Sequence, residues 1–101
     1  MAAKYQIKFT KRAFRDLDAI YSYIANNLSE PAIAQKLIDT IENEILSLET
    51  MPSRCPERRI GTYAGKGYRQ LLVKNYTAIY RVDEERKTVI IITIRYSSSQ
   101  F

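Results

Sequence analysis

The chain has no histidine and no tryptophan, and Cys55 is its only cysteine. Without histidine it lacks the one side chain whose ordinary pKa suits acid–base chemistry near neutral pH. A single cysteine excludes an internal disulfide and any cluster of Cys and His ligands for a metal ion, and it fits a reducing cytoplasm. No apolar run approaches the length of about 20 residues that spans a bilayer. We therefore expect a cytoplasmic protein without a membrane partner, metal ion or cofactor.

Length and composition indicate one folded unit. The chain has 101 residues, of which 46% are hydrophobic. This is enough to bury a single core without added cross-links, and it argues against disorder. No linker, repeat or low-complexity segment divides the sequence. We expect one domain over residues 1–101.

Charge is distributed unevenly along this basic chain, whose net charge is +5. Residues 29–52 carry one cation against five anions, whereas residues 53–101 carry ten cations against four anions. A charge separation of this size is typical of proteins that bind nucleic acid or an acidic partner. The alternative, that the charges serve only solubility, stays open at this point.

Two apolar stripes predict two helices. The first follows Thr10, a good capping residue, and the second follows Ser29-Glu30-Pro31, where Ser29 offers a capping hydroxyl and Pro31 suits a first turn. Because the connection is short, the two helices must lie antiparallel. The apolar residues recur every three or four positions, as Phe14, Leu17, Ile20, Tyr21, Ile24 and Leu28 in the first helix, and as Ile33 or Ala34, Leu37, Ile38, Ile41, Ile45 and Leu48 in the second.

Four further segments have the pattern of strands. Residues 5–9 alternate apolar and polar and predict a short edge strand, and three strands follow the loop of residues 52–67. The tight turn Lys74-Asn75 and the polar turn at 83–87 separate these three strands as a meander. The last strand, 88–96, is apolar on both faces and is expected to be central. The order β-α-α-β-β-β predicts an α+β fold, with a helical hairpin packed on a largely antiparallel four-stranded sheet.

This order resembles the RelE/ParE toxins of bacterial type II toxin–antitoxin systems. The segments that carry the resemblance are Phe9-Thr10-Lys11-Arg12-Ala13, Leu48-Glu49-Thr50-Met51-Pro52, Tyr68-Arg69-Gln70-Leu71, Tyr80-Arg81-Val82-Asp83 and Ile94-Arg95-Tyr96. The resemblance implies a growth-inhibiting toxin of the kind linked to plasmid stabilisation. It also implies neutralisation by a cognate antitoxin, with operator DNA reached only through that antitoxin. RelE-like members cut mRNA in the ribosome and ParE-like members poison DNA gyrase, so the resemblance leaves the target open.

An RNA-cleaving site in this chain would have to work without a metal ion. Cleavage through the 2′-hydroxyl needs a base, an acid and cations around the phosphate, and only arginine, lysine and tyrosine are available. The nuclease candidates are Lys66, Arg69, Arg81 and Arg95 as phosphate contacts, with Tyr96 as a polar ring.

The same region supplies candidates for binding antitoxin or target. We expect Ile79 to be an exposed apolar contact on the basic strands, whereas Tyr76 and Tyr80 are expected to pack in the sheet. Arg69 and Arg81 are equally explained as solvated strand residues. The candidates are Arg58, Arg59, Arg69, Lys74, Ile79, Arg81 and Arg95.

Two positions depart from the pattern of nuclease-type relatives. Thr77 stands where RelE-like toxins carry an arginine next to a tyrosine, and Ser97-Ser98-Ser99-Gln100-Phe101 stands where they carry arginines in a turn. Loss of one preorganised charge contact costs about 10²–10³ in rate. These departures favour gyrase poisoning, with ribosome-dependent mRNA cleavage as the alternative.

Two weaker alternatives stay open. The basic sheet could bind nucleic acid without toxicity, although the sequence has no evident set of stacking aromatic residues for RNA. The chain could also be a toxin that has lost its activity and still binds its antitoxin.

Overall fold

The computed structural model describes residues 4–98 and places two helices on one face of a four-stranded sheet. The strands are β1 (Gln6–Phe9), β2 (Arg69–Val73), β3 (Tyr76–Asp83) and β4 (Thr88–Tyr96), and the helices are α1 (Lys11–Ser22) and α2 (Pro31–Leu46). A π-helical turn, Tyr23–Asn27, continues α1, and a 3₁₀ turn, Ser47–Glu49, continues α2. The predicted α+β architecture and the order of its elements are confirmed. No helix within residues 4–98 is both long and apolar enough to cross a membrane.

The sheet has the strand order β1-β4-β3-β2. Strands β2, β3 and β4 form the predicted antiparallel meander, and β1 pairs parallel with β4. The apolar strand β4 is therefore central and β1 lies at an edge, as the sequence predicts. Lys74 adopts a left-handed backbone with a φ of 56° in the two-residue turn between β2 and β3, which suits such a hairpin.

The core lies between the sheet and the helices and uses most of the two predicted stripes. Phe14 and Leu28, at 59% and 52% exposed, are the exceptions in the first stripe. Phe14 instead stacks on Phe9 with ring centroids 5.1 Å apart. In α2 the inward residue is Ala34 and not Ile33. The core residues from the helices are Ala13, Leu17, Ile38, Ile41, Ile45 and Leu48, and those from the sheet are Leu71, Val73, Ala78, Tyr80, Val89, Ile91 and Ile94.

Of the two capping residues that the sequence predicts, one is confirmed and the other is wrong. The Thr10 hydroxyl accepts a hydrogen bond from the backbone N–H of Ala13 at 3.1 Å, so Thr10 caps α1 as predicted. At α2, Pro31 occupies the first turn, but Glu30 is the cap residue and no side chain caps the helix. The predicted capping role of Ser29 is wrong, because its φ of 55° places it in the left-handed region and outside the cap position.

Strand β4 extends beyond its neighbour β1, which ends at Phe9 opposite Ile91. Beyond Phe9, Thr10 makes the hydrogen bonds to β4 in place of a strand residue. Its backbone N–H donates to the carbonyl of Ile91, and its hydroxyl donates to the carbonyl of Ile92 at 2.8 Å. The cap residue of α1 thus also satisfies backbone groups that would otherwise be left at a partly buried edge.

Six residues after Thr10, Asp16 of α1 makes a second contact with the same edge of β4. Its carboxylate accepts hydrogen bonds from the Thr93 hydroxyl and from the backbone N–H of Ile94. The pairing of β3 with β4 shifts register between Ile79 and Tyr80, next to this point, so β4 carries a bulge there. Helix α1 is therefore fixed along the edge of β4 by backbone hydrogen bonds as well as by apolar packing.

Substitution of Asp16 by alanine should destabilise the fold. It leaves the N–H of Ile94 and the hydroxyl of Thr93 without their acceptor, which typically costs about 1–3 kcal/mol. Denaturant unfolding of the two variants Asp16→Ala and Asp18→Ala measures the difference. Asp18 is exposed and makes no hydrogen bond or ion pair within residues 4–98, so its loss should change stability little. Equal stabilities of the two variants would contradict this role for Asp16.

Candidate functional site

The cations of the basic strands lie on two opposite faces of the sheet. Arg69 pairs with Tyr80, whose ring is in the core, so Arg69 lies on the face that carries the helices. Arg81 is the next residue along β3 and therefore lies on the outer face. Arg95 pairs with Thr77, which alternates with the core residue Ala78, so it lies on the outer face as well. Arg69 and Arg81 do not form one surface.

Arg69 holds the loop of residues 52–67, which precedes β2, against the sheet. Its Nη1 donates to the carbonyl oxygen of Cys55 at 2.5 Å. Nearby, the buried Tyr80 hydroxyl donates to the carbonyl of Pro52 at 2.6 Å. Burial and the neighbouring Cys55 thiol raise the pKa of Tyr80 far above its usual value, so this hydroxyl keeps its proton and remains a donor. Both side chains act here as anchors of the loop.

Arg58 is also an anchor, because only 8% of it is exposed. Its Nε donates to the carbonyl of Ile60 at 3.0 Å and its Nη1 donates to Oε1 of Gln70 at 2.9 Å. The backbone of Arg58 pairs with that of Tyr68, which lays this part of the loop along the edge of β2. The guanidinium therefore holds loop and strand together from inside the protein.

Ile79 does not form the exposed apolar contact that the sequence predicts. It is fully buried. On the neighbouring strands it is paired with Gln70 and Thr93, and Gln70 in turn is held by Arg58. The expectation is wrong because Ile79 is buried at a position that strand alternation alone places on an open face, next to Gln70 and the loop residue Arg58 that holds it.

The remaining predicted cations lie in different parts of the structure; Arg95 is half-buried and the others are exposed. Arg59 and Lys66 belong to the part of the loop beyond the anchors, and Lys74 lies in the hairpin turn between β2 and β3. Arg81 is exposed on the outer face and has no hydrogen-bond or ion-pair partner within residues 4–98. Across β4 from Arg81, β1 carries exposed Lys8, because both residues pair with Ile90. The outer face thus carries three basic side chains, Lys8, Arg81 and Arg95.

Thr77 is buried and is hydrogen-bonded through its hydroxyl group to the hydroxyl of Ser97. Thr77 is 1% exposed, and its Oγ1 lies 2.8 Å from Oγ of Ser97. The hydrogen bond ties the start of β3 to the turn after β4. Of the predicted arginine-free turn, Ser97 and Ser98 are described, whereas Ser99-Gln100-Phe101 lies outside the described residues.

Tyr96 lies on the helix side of the sheet and lines a groove that the sequence does not predict. Its ring meets that of Tyr76 edge to face at 5.6 Å between centroids. Burial raises the pKa of Tyr76, and the nearby hydroxyls of Tyr96 and Tyr23 raise it further. The groove encloses about 710 Å³ and is lined by Ala19, Ile20, Tyr23, Ile24, Leu28, Tyr76 and Tyr96. Tyr23 begins the π-helical turn and Leu28 follows it, and sequence periodicity does not reveal this local geometry.

Within residues 4–98 no group of three acidic, cysteine or histidine side chains comes together in a way that could hold a metal ion. The chemistry available to the described surface is therefore that of cations, tyrosine hydroxyls and apolar contacts.

Solved structures similar to this chain include chains of ParDE and RelBE toxin–antitoxin systems and the toxin RelE. A chain of the chromosomal ParDE toxin–antitoxin system from P. aeruginosa superimposes with a TM-score of 0.76 at 26% identity, covering 92% of this chain and 96% of that one. A chain of the RelBE2 toxin–antitoxin complex from Mycobacterium tuberculosis gives 0.62 at 23% identity, covering 98% of both chains. The E. coli toxin RelE, in a mutant free form, gives 0.62 at 14% identity, covering 94% and 85%.

Fold and basic sheet together define a toxin of the RelE/ParE superfamily. Residues 7–101 match the family model of the ParE toxin of the type II toxin–antitoxin system parDE. The chain therefore belongs to the ParE toxin family. A search of curated protein sequences found no significant match.

The different positions of Arg69 and Arg81 lead to different effects of their removal. Arg69→Ala deletes an anchor of the loop, so backbone amides of residues 53–58 should exchange hydrogen faster and stability should fall by about 1–2 kcal/mol. Arg81→Ala removes an exposed side chain and should change stability by less than about 0.5 kcal/mol. Hydrogen exchange with mass spectrometry and denaturant unfolding measure both effects. Unchanged exchange in the loop of Arg69→Ala would contradict the anchoring role.

Proposed function

We propose that this chain is a non-nucleolytic toxin that poisons DNA gyrase by binding to it. The single observation that carries the proposal is the dispersal of the nuclease candidates. Arg69 lies under the loop on the helix side, Arg81 and Arg95 lie on the outer face, and Tyr96 lies in a groove on the helix side. Lys66 belongs to the loop beyond the anchors.

Cleavage of RNA requires that the cationic groups converge on one phosphate. A phosphorane-like transition state is stabilised by several donors aimed at one point, and preorganised donors lose their effect when they are displaced by about 1 Å or more. Arg69 already donates to a backbone carbonyl, and the position next to Tyr76 is a buried threonine hydroxyl. Cleavage would also need a proton acceptor, and the chain has no histidine to provide one.

Binding, in contrast, needs only accessible and complementary surface. The outer face carries Lys8 and Arg81, both exposed, and the loop tip adds Arg59 and Ile60, the latter 67% exposed. An exposed apolar side chain beside cations is typical of a contact with an acidic protein surface. Membership of the ParE family, and the similarity to a ParDE chain at 26% identity, further support gyrase as the target.

We also propose that a cognate antitoxin neutralises the toxin. The neighbouring structures include ParDE and RelBE toxin–antitoxin systems, and a small basic toxin suits an acidic partner. Operator DNA would be reached through the antitoxin, so the toxin needs no DNA-reading element of its own. We therefore also propose that the protein acts in the cytoplasm, where gyrase works.

Purified chain, gyrase, ATP and supercoiled plasmid provide the direct test. We expect cleaved plasmid to accumulate in proportion to the toxin, because a bound poison traps the broken-DNA intermediate. Arg81→Glu should reduce the accumulation about tenfold by placing a like charge against the acidic partner. The matched control is Arg86→Glu, which makes the same charge change in the turn after β3, where Arg86 is 4.0 Å from Asp83.

Toeprinting of ribosomes after induction tests the competing activity. The proposal predicts intact messages together with double-strand DNA breaks. Strong cuts in the ribosomal A site that disappear in Arg69→Ala or Arg95→Ala would reject the gyrase assignment and establish an mRNA nuclease.

A further inference from the structure

A groove between the two helices, beside β1, carries negative charge in this otherwise basic protein. Its volume is about 470 Å³. Phe14, which lines it, is 59% exposed and stacks on Phe9 of β1. Exposed apolar side chains rimmed by polar ones are typical of an interaction site. The lining of this acidic groove includes the apolar residues Phe9, Phe14, Tyr21 and Ile38 and the carboxylates Asp18 and Glu42.

The two carboxylates are not neutralised by neighbouring side chains within residues 4–98. Asp18 on α1 and Glu42 on α2 are both exposed, and neither has a hydrogen-bond or ion-pair partner in the part of the chain that the structure describes. No lysine or arginine of that part lines the groove. The groove therefore presents two negative charges, although the net charge of the chain is +5.

Carboxylates beside aromatic rings favour a cationic occupant. A guanidinium group forms charge-assisted hydrogen bonds with carboxylates and also packs against aromatic rings, so it matches both parts of the lining. An acidic segment would bring like charges together and is disfavoured. The groove thus suits a basic segment that also carries an apolar side chain.

The loop tip, residues 59–67, is a basic segment of this kind. It carries Arg59 and Lys66 and no acidic residue. Arg59 is exposed, and the next residue, Ile60, is 67% exposed. Neither cation has an ion-pair partner within residues 4–98. The loop tip and the acidic groove are therefore complementary in charge, and each has exposed apolar surface.

The loop tip and the acidic groove belong to opposite edges of the sheet. The strand order is β1-β4-β3-β2, so β1 and β2 are the two edge strands. The N–H of Gln70 in β2 donates to the carbonyl of Pro56 at the base of the loop, whereas Phe9 of β1 lines the groove. A contact between a tip and a groove is therefore a contact between two copies of the chain.

We propose that the loop tip of one copy docks in the acidic groove of a second copy. Arg59 would meet Asp18 and Glu42, while Ile60 would pack against Phe14. The contact is heterologous, because each bound copy keeps a free groove at one edge and a free tip at the other. Copies should therefore add head to tail into open chains. A contact of this small size implies association at micromolar to millimolar concentrations.

The net charge of the chain opposes this association at long range. Two molecules that each carry +5 repel one another, whereas the charges at the contact attract. Added salt screens both effects, so salt dependence alone does not reveal the contact. Variants that change the net charge equally but at different places do reveal it.

Light scattering of the purified full chain over about 10 µM to 1 mM gives the first test. We expect the average mass to keep rising with concentration, beyond twice the monomer mass. Glu42→Lys should weaken association about tenfold, because it places a like charge against Arg59. The matched control is Glu85→Lys, which makes the same change at an exposed residue of the turn between β3 and β4. Its association should stay within about threefold of the parent.

A mixture of two variants tests the pairing of tip and groove directly. Arg59→Glu should also weaken association about tenfold, although it lowers the net charge and so reduces long-range repulsion. Glu42→Lys and Arg59→Glu should each remain monomeric where the parent associates. Mixed in equal amounts they should associate again, because the altered groove of one variant is complementary to the altered tip of the other. Circular dichroism confirms that each variant is folded.

Alanine substitution tests the apolar part of the contact. Phe14→Ala should weaken association about fivefold to tenfold, because it removes the exposed ring that Ile60 would cover. The matched control is Tyr23→Ala, which removes a ring that is 55% exposed and lies outside the acidic groove. Association lost in Tyr23→Ala and kept in Phe14→Ala would place the contact elsewhere and overturn the proposal.

Other results would also overturn it. The parent could remain monomeric up to 1 mM, or its mass could level off at twice the monomer mass, which would indicate a closed dimer instead of a chain. The mixture of Glu42→Lys and Arg59→Glu could stay monomeric, which would exclude the proposed pairing. A parent that is monomeric and binds its antitoxin about tenfold more tightly than Glu42→Lys does would assign the acidic groove to the antitoxin.

This association is independent of the proposed function, because light scattering measures it without gyrase. One consequence does rest on that function: a docked tip covers Arg59 and Ile60, which the proposed function directs toward gyrase. If the chain has no effect on gyrase, that consequence fails together with the gyrase assignment, and the scattering results still decide the contact between copies.

Discussion

The hydrogen bonds between α1 and the edge of β4 determine how the rest of the molecule is arranged. Strand β1 is too short to cover β4, and backbone groups in a partly buried edge must find partners. Thr10 and Asp16 supply them. Because these contacts are directional, α1 can lie only along this edge, and its last turn must then end beside Tyr96. The groove lies beside the part of β4 that extends beyond β1.

The same geometry separates two kinds of surface. The outer face of the sheet carries cations, and the helix side carries an apolar groove beside Tyr96. Exposed charges act at long range and mainly affect encounter, whereas a groove gives contact area and residence time. The two surfaces therefore suit different kinds of contact.

Much of this fold could be predicted from the sequence, because its signals are local. The helical stripes, the cap at Thr10, the turn at Lys74 and the apolar pattern of β4 each depend on neighbouring residues, and each is confirmed. The site could be predicted less well. That Arg69 lies on the face opposite Arg81 depends on the register of β2 against β3, and the burial of Ile79 depends on the loop beside Gln70. The π-helical turn that forms the groove has no periodic signature. Such features are set by long-range packing, which residue spacing does not record.

Within residues 4–98, the hydrogen bonds that tie the loop before β2 to the sheet lie at the base of the loop. Pro52, Cys55 and Arg58 are tied to Tyr80, Arg69 and Gln70, whereas beyond Ile60 the backbone makes only a local turn from Gly61 to Ala64 among the loop contacts described. Loop-closure entropy changes slowly with length, so added residues at such a tip cost little once the base is fixed. The length and composition of this tip can therefore vary without altering the sheet, which makes it a suitable place for insertion of a label.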